Sequence, residues 1–172
     1  MLTIGTGLGS GLILENRLWS GAGGFAAEFG HVTVEPDGLP CPCGNRGCLE
    51  QYVSASALVR HAGGGTPEGL AKMASAGDLA AKSAFDKTGK YLGIAVAGLL
   101  NSLNLELIVL GGGVSASFDM IKPAMMDEVN RRCFPAIASG VKCLPAMLGD
   151  DAGLVGAAMT AREKCSSGIR CH

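Results

Sequence analysis

The chain reads as one globular unit of the α/β class, on three observations. A glycine-punctuated pair of strand-like runs opens it over residues 2–14; stretches with apolar residues at helical spacing occupy 66–76, 79–103 and 121–133; and a short aliphatic strand-like run, Leu107-Ile108-Val109-Leu110, ends in Gly111-Gly112-Gly113. Its 172 residues suffice for one good core, and no long polar linker divides them.

Taken in order, residues 2–14 predict strand, glycine turn, strand, with a second turn at Glu15-Asn16-Arg17 before Leu18-Trp19-Ser20. A helix begun near Glu50 is expected to continue through 56–62, and Gly63-Gly64-Gly65 then reads as a helix end and loop. Apolar spacing predicts helices over 66–76 and 79–103, the second capped by Asp78 and leading into the strand 107–110. Residues 121–133 form a further amphipathic candidate, 142–146 a strand, 152–164 the final helix, and 165–172 a polar tail. His61 and His172 have no partner in the sequence and read as surface histidines.

Composition excludes some functions. A net charge of −1 with scattered Lys and Arg leaves no electrostatic footprint for nucleic acid. The apolar stretches 2–14 and 91–114 are interrupted by glycine or polar residues, so neither predicts a membrane span, and no secretory leader is visible. Cys133, Cys143, Cys165 and Cys171 lie in dissimilar, widely spaced settings, as reduced thiols of a cytoplasmic protein do.

The remaining cysteines carry the chemistry. His31, Cys41, Cys43 and Cys48 gather in a Gly- and Pro-rich stretch; three thiolates and one imidazole close the tetrahedral shell of Zn²⁺ and leave no position for a catalytic water. The site therefore reads as structural, with the metal ordering a loop that has little apolar periodicity of its own. The alternative is a redox-active or merely buried set of thiols. Glu28 stands three residues before His31 and Glu50 two after Cys48, so two carboxylates are tied to one loop. Acceptor-only groups fixed as a pair suit a ligand rich in O–H donors, such as a sugar; the alternative is ordinary surface charge. With one ring nitrogen on zinc, His31 must carry its proton on the other, which becomes an oriented donor toward a sugar hydroxyl.

Gly5, Thr6, Gly7, Gly9 and Gly11 lack the helix of a dinucleotide fingerprint and the Lys-Ser/Thr of a P-loop. What remains is either a tight structural turn or a hairpin whose amides and Thr6 hydroxyl hold phosphate oxygens.

The order Gly5-Thr6-Gly7-x-Gly9-x-Gly11, Glu28-x-Gly30-His31, Cys41-x-Cys43-Gly44-x-x-Gly47-Cys48-x-Glu50 resembles the ROK family of sugar kinases, sugar-responsive repressors and open reading frames, and within it the bacterial glucokinases. The similarity continues through 107–115 and 149–158. It implies an actin-like, hexokinase-type (ribonuclease H-like) fold of two α/β domains with sugar and ATP in the cleft between them. This chain would be mainly the second domain, residues 1–164 with a zinc-binding loop at 31–48, the first domain being absent. The resemblance assigns hexose contacts to Glu28, His31 and Glu50. It places ATP, with Mg²⁺, against the Gly5–Gly11 hairpin and against Gly111, Gly112 and Gly113 on the adenosine side. It also implies a homo-oligomer, a dimer. The family's catalytic base, an aspartate after an asparagine, falls upstream of the hairpin, and Asp37, Asp150 and Asp151 do not replace it, so no catalytic residue is assigned here and the chain alone is expected to be inactive. The last helix of the family packs on the first domain, so Leu154, Val155 and Met159 are expected to be exposed or swapped. The effector-binding domain of a ROK repressor is the alternative function; the complete glycine loop favours the kinase. A zinc-stabilised fold without a ligand is a third reading.

Overall fold

The computed structural model of the chain describes residues 1–166. Strands β1 (Leu2–Ile4) and β2 (Leu8–Ser10) form the expected antiparallel hairpin, closed by a hydrogen bond from Gly5 N–H to Gly7 O of 2.9 Å. A separate ribbon follows, β3 (Ile13–Leu14) with β4 (Arg17–Leu18), turning at Glu15 (φ 51°) and Asn16 (φ 61°). Positive φ at both central positions is the type I′ geometry, which matches the right-handed twist of the paired strands. Two later strands, β5 (Leu107–Gly111) and β6 (Lys142–Pro145), join parallel to β1, giving the order β2-β1-β5-β6.

Helices make the crossovers. α1 (Ala55–Ala62) starts where the Ser54 hydroxyl accepts the Ala57 N–H at 3.2 Å and stops at Gly63, whose φ of 79° is open to glycine. The expected helix does not run on from Glu50: a 3-10 turn over Leu49–Gln51 is followed by a break, because Ser54 is extended and its side chain caps a new helix. α2 (Pro67–Ser75) is capped by Thr66 and carries proline in its first turn, where no N–H is missed. In α3 (Leu79–Leu103) the Asp78 carboxylate accepts the Ala81 N–H at 2.8 Å, and Asn104 closes the helix in the left-handed region. After β5, the chain builds α4 (Phe118–Arg132), a short α5 (Pro135–Gly140) not foreseen from the sequence, β6, and α6 (Ala152–Ser166). α6 takes in Cys165, which the sequence reading placed in the tail; Cys171 and His172 lie outside the described residues.

The core lies between the sheet and the α3–α4 pair. Phe85, Leu92, Val96 and Leu100 of α3 meet Ile121, Met125 and Val129 of α4, all essentially buried, each such side chain worth about 1.5–3 kcal/mol. Gly89 and Gly93, one turn apart, let the helices close: a Cβ at Gly89 would lie 2.5 Å from the Ile121 carbonyl oxygen, and one at Gly93 would overlap that of Met125. Glu128 is buried beside this seam and accepts from Arg132 Nε at 2.6 Å and Arg131 Nη1 at 3.3 Å. The Arg132 hydrogen bond, first of all, holds its carboxyl below the usual carboxylate range.

His61 is not a bare surface histidine. It is half-buried, Nε2 lies 3.1 Å from the Tyr52 carbonyl oxygen, and the ring stacks on Tyr91 at 6.3 Å between centroids. On α6, Leu154, Val155 and Met159 are 77%, 38% and 55% exposed. Among the described residues no helix is long and apolar enough to cross a membrane.

Candidate functional site

The segment after the β3–β4 ribbon leads into a 3-10 turn, Phe29–His31, which packs on the second one, Leu49–Gln51. Ser10 of β2 ties the approach: its hydroxyl donates to the Ala27 carbonyl and accepts the Phe29 N–H at 3.2 Å. Ala27 is thereby held at φ 69°, immediately before Glu28. The glycine of the Glu28-x-Gly30-His31 motif also has a packing reason, since a Cβ at Gly30 would stand 2.6 Å from the Leu8 carbonyl oxygen.

His31, Cys41, Cys43 and Cys48 converge, their ligand atoms all within 4.8 Å of one another. Cys41 Sγ lies 3.7 Å from His31 Nδ1, and Cys43 Sγ lies 3.6 Å from Cys48 Sγ. Tetrahedral ligands on bonds of about 2.3 Å stand about 3.7 Å apart, so the donor set fits zinc in type, number and spacing. A hydrogen bond from the Cys43 backbone amide is the leading cause that brings the Cys41 thiol down to about 7, whereas burial is the leading cause that pushes Cys48 up to about 12. Three thiolates this close need a cation to offset their charge, which is what a bound metal would supply.

The loop has more order of its own than its sequence suggests. Antiparallel bridges pair Thr33 with Cys48 and Pro40 with Arg46, and the Tyr52 hydroxyl accepts the Leu39 N–H at 2.8 Å. Gly47, at φ 70°, passes so close to Glu35 that a Cβ would overlap the Glu35 carbonyl. The Tyr52 ring packs against Tyr91 at 4.4 Å with a tilt of 33°, and Tyr91 donates to Glu35 Oε2 at 3.5 Å, so the loop is also pinned to α3. The two bridges and the aromatic contact shape the arch, and a metal at the cluster would join its ends.

Nδ1 of His31 faces the cysteines; Nε2 points away, 3.9 Å from Glu28 Oε2. Glu28 and His31 are exposed, with side chains 68% and 39% accessible. Glu50 has a different setting. Its Oε2 accepts the Leu8 N–H at 2.9 Å, and the lack of a side chain at Gly7 makes room for it, since a Cβ there would lie 2.5 Å from that oxygen. Glu50, Gly5, Thr6, Gly7, Gly9 and Gly112 line one open groove of about 400 Å³. Gly112, at φ 85°, runs flush against Ile4, where a Cβ would lie 2.5 Å from the Ile4 carbonyl oxygen. Gly11 bonds Met1 across the hairpin and faces another cavity, while Gly111 and Gly113 stand beside Gly112 in β5 and in the turn that follows. Ser10, Gln51 and Tyr52 escaped the sequence reading because their partners lie on distant segments.

Fold and site together define a class: an actin-like, hexokinase-type α/β fold with a Cys₃His loop beside a glycine hairpin. The sequence profile of the ROK family matches residues 1–164, and the chain belongs to that family. It is 35% identical over 187 residues to a glucokinase of Halalkalibacterium halodurans, covering 97% of this chain and 57% of that protein. It is 34% identical over 160 residues to a xylose repressor of Bacillus spizizenii, covering 90% of this chain and 41% of the repressor. A crystal structure of a ROK family glucokinase from Streptomyces griseus in complex with glucose and AMPPNP superposes with a TM-score of 0.84 at 35% identity, covering 94% of this chain and 59% of that one. The chain thus spans between two-fifths and three-fifths of the length of these relatives.

Proposed function

We propose that these residues form the second α/β domain of an ATP-dependent hexose kinase of the ROK type. The observation that supports the reading is the Glu50–Leu8 hydrogen bond: a carboxylate next to the Cys/His loop is anchored on the glycine hairpin, which ties the proposed sugar contact to the proposed phosphate surface. Glu28, His31 and Glu50 are the proposed hexose contacts, the carboxylates accepting hydroxyl protons and His31 Nε2 donating. Where the bound sugar excludes water from these carboxylates, a hexose lacking one of those hydroxyls leaves a carboxylate unpaired, which costs about 1–3 kcal/mol and sets selectivity. Gly5, Thr6, Gly7, Gly9 and Gly11, with Gly111, Gly112 and Gly113, are the proposed surface for Mg²⁺-ATP, which supplies the phosphoryl group when bound. Zinc on His31, Cys41, Cys43 and Cys48 is structural, cross-linking the loop that bears His31 and precedes Glu50. None of these groups removes the proton of the attacking hydroxyl; the aspartate to which the family assigns that task has no counterpart among the 172 residues, so binding without turnover is expected of this chain alone. A cytoplasmic homodimer is the proposed setting, and light scattering tests the dimer.

Calorimetry on the zinc-loaded chain tests the reading. Glucose should bind, and Glu28→Gln and Glu50→Gln should each weaken it about tenfold or more, the equivalent of about 1.4 kcal/mol. Hexose affinities unchanged in both variants would refute the assignment. The repressor relative, matched over 90% of this chain, favours a second reading as an effector domain. Binding of a non-hydrolysable ATP analogue supports the kinase; sugar binding with no nucleotide binding supports the effector domain.

A further inference from the structure

The three-residue turn Leu49–Gln51 is held from more directions than a surface turn needs. Gln51 Nε2 donates to Cys41 Sγ at 3.6 Å, the Gln51 backbone N–H donates to the Cys48 carbonyl at 2.9 Å, and the Gln51 carbonyl accepts from the Arg60 guanidinium of α1. One residue back, Glu50 accepts from Leu8; one residue on, the Tyr52 carbonyl meets His61. Gln51 thus touches a cysteine of the metal cluster with its side chain and the end of α1 with its backbone, while its neighbour bonds the glycine hairpin.

A Zn²⁺ ion with three thiolates and a neutral imidazole carries a net charge of −1, and N–H donors aimed at the sulfurs spread that charge. The Gln51 amide is suited to this because it is uncharged, does not compete as a ligand, and is fixed by its own backbone bonds. We propose that Gln51 is a positioning residue: its amide stabilises the Cys41 thiolate for the metal and locks the cluster to the turn that aims Glu50. The proposal rests on the zinc reading above.

The experiment is chelator competition on the zinc-loaded chain, paired with absorption spectra of the cobalt-substituted chain, for the wild type, Gln51→Leu, Gln51→Asn and Gln51→Glu. Loss of an outer-sphere partner costs about 10–100-fold in metal affinity, the range expected for Gln51→Leu. Its thiolate-to-cobalt charge-transfer band should move to lower energy, because an unbonded sulfur gives up charge more readily. Gln51→Glu, which sets a negative acceptor beside the thiolate, should lose more. Gln51→Asn keeps the amide but withdraws it by one methylene, so it should shift the band in the same direction as Gln51→Leu; should Gln51→Leu fail to fold, this variant decides. A wild type that takes up no zinc overturns the metal reading itself. A wild type that binds zinc, with affinity and band unchanged in Gln51→Leu or, failing its folding, in Gln51→Asn, overturns the role of Gln51 alone.

Discussion

Gly7→Ala tests the contact that joins the metal loop to the glycine hairpin. A methyl group at Gly7 would lie 2.5 Å from Glu50 Oε2, so the carboxylate must swing away and release the Leu8 N–H that it accepts at 2.9 Å. A hydrogen bond to a charged group is worth about 1.5–3 kcal/mol, and Glu50 is half-buried, which places the loss toward the lower end. Against this, replacing glycine in a conformation alanine can adopt gains about 0.4–1 kcal/mol by restricting the unfolded chain. Gly7 does not have positive φ, so that gain applies, and the net effect is a destabilisation of about 0.5–2 kcal/mol. Gly5→Ala is the internal reference: the position has no atom within 4 Å of an added Cβ and no positive φ, so only the gain remains. Urea unfolding at saturating zinc should rank Gly5→Ala above wild type and Gly7→Ala below it. In the double variant Gly7→Ala/Glu50→Ala the penalty of the alanine at 7 should vanish, because the atom it displaces is gone. Equal midpoints for Gly5→Ala and Gly7→Ala would refute the reasoning.

Ala27→Gly should stabilise the chain by about 0.5–1 kcal/mol in urea unfolding, since left-handed backbone costs a side-chain-bearing residue about 1–2 kcal/mol and glycine loses back about 0.5–1; a lower midpoint would contradict the φ of 69°. In α3, Gly98→Ala meets nothing within 4 Å and should gain about 0.8–1 kcal/mol of helix propensity. Gly93→Ala should lose about 1–3 kcal/mol against the Met125 carbonyl, and similar melting temperatures for the two would argue against the close α3–α4 approach. Glu128 has a depressed folded pKa, chiefly through Arg132, so its contribution is present above the unfolded carboxylate value of about 4.3 and fades as pH falls through the lower folded value. Glu128→Gln should be less stable than wild type at pH 7, with the gap closing in acid; a gap independent of pH would dismiss the ion pair.

Features carried by neighbours in sequence were legible before the structure. Asp78 and the apolar spacing of 79–103 define α3 to the residue, and the aliphatic run before Gly111 gives β5 one residue short. The clustering of His31 with Cys41, Cys43 and Cys48 was equally readable, because three cysteines within eight positions cannot disperse far. Segments too short for a period to register were not: α5 has six residues, and the break at 52–54 depends on one serine choosing to cap rather than continue. Contacts across long separations were also invisible. Glu50 reaches Leu8 over 42 positions and Tyr91 reaches Glu35 over 56, and no local pattern encodes either. Gly30 and Gly7 illustrate the same limit from the other side: the motif marks them, but only the approach of Leu8 and Glu50 explains why a side chain has no room.

The sequence contains one tryptophan, Trp19, half-exposed at the end of the β3–β4 ribbon and lining the same cavity as Ala26, Ala27 and Glu28. Its indole emission therefore reports from a single address, beside a proposed hexose contact and outside the cysteine cluster. Light from that ring can follow sugar titration without a label, and it offers an optical channel separate from the cobalt spectrum of the thiolate cluster.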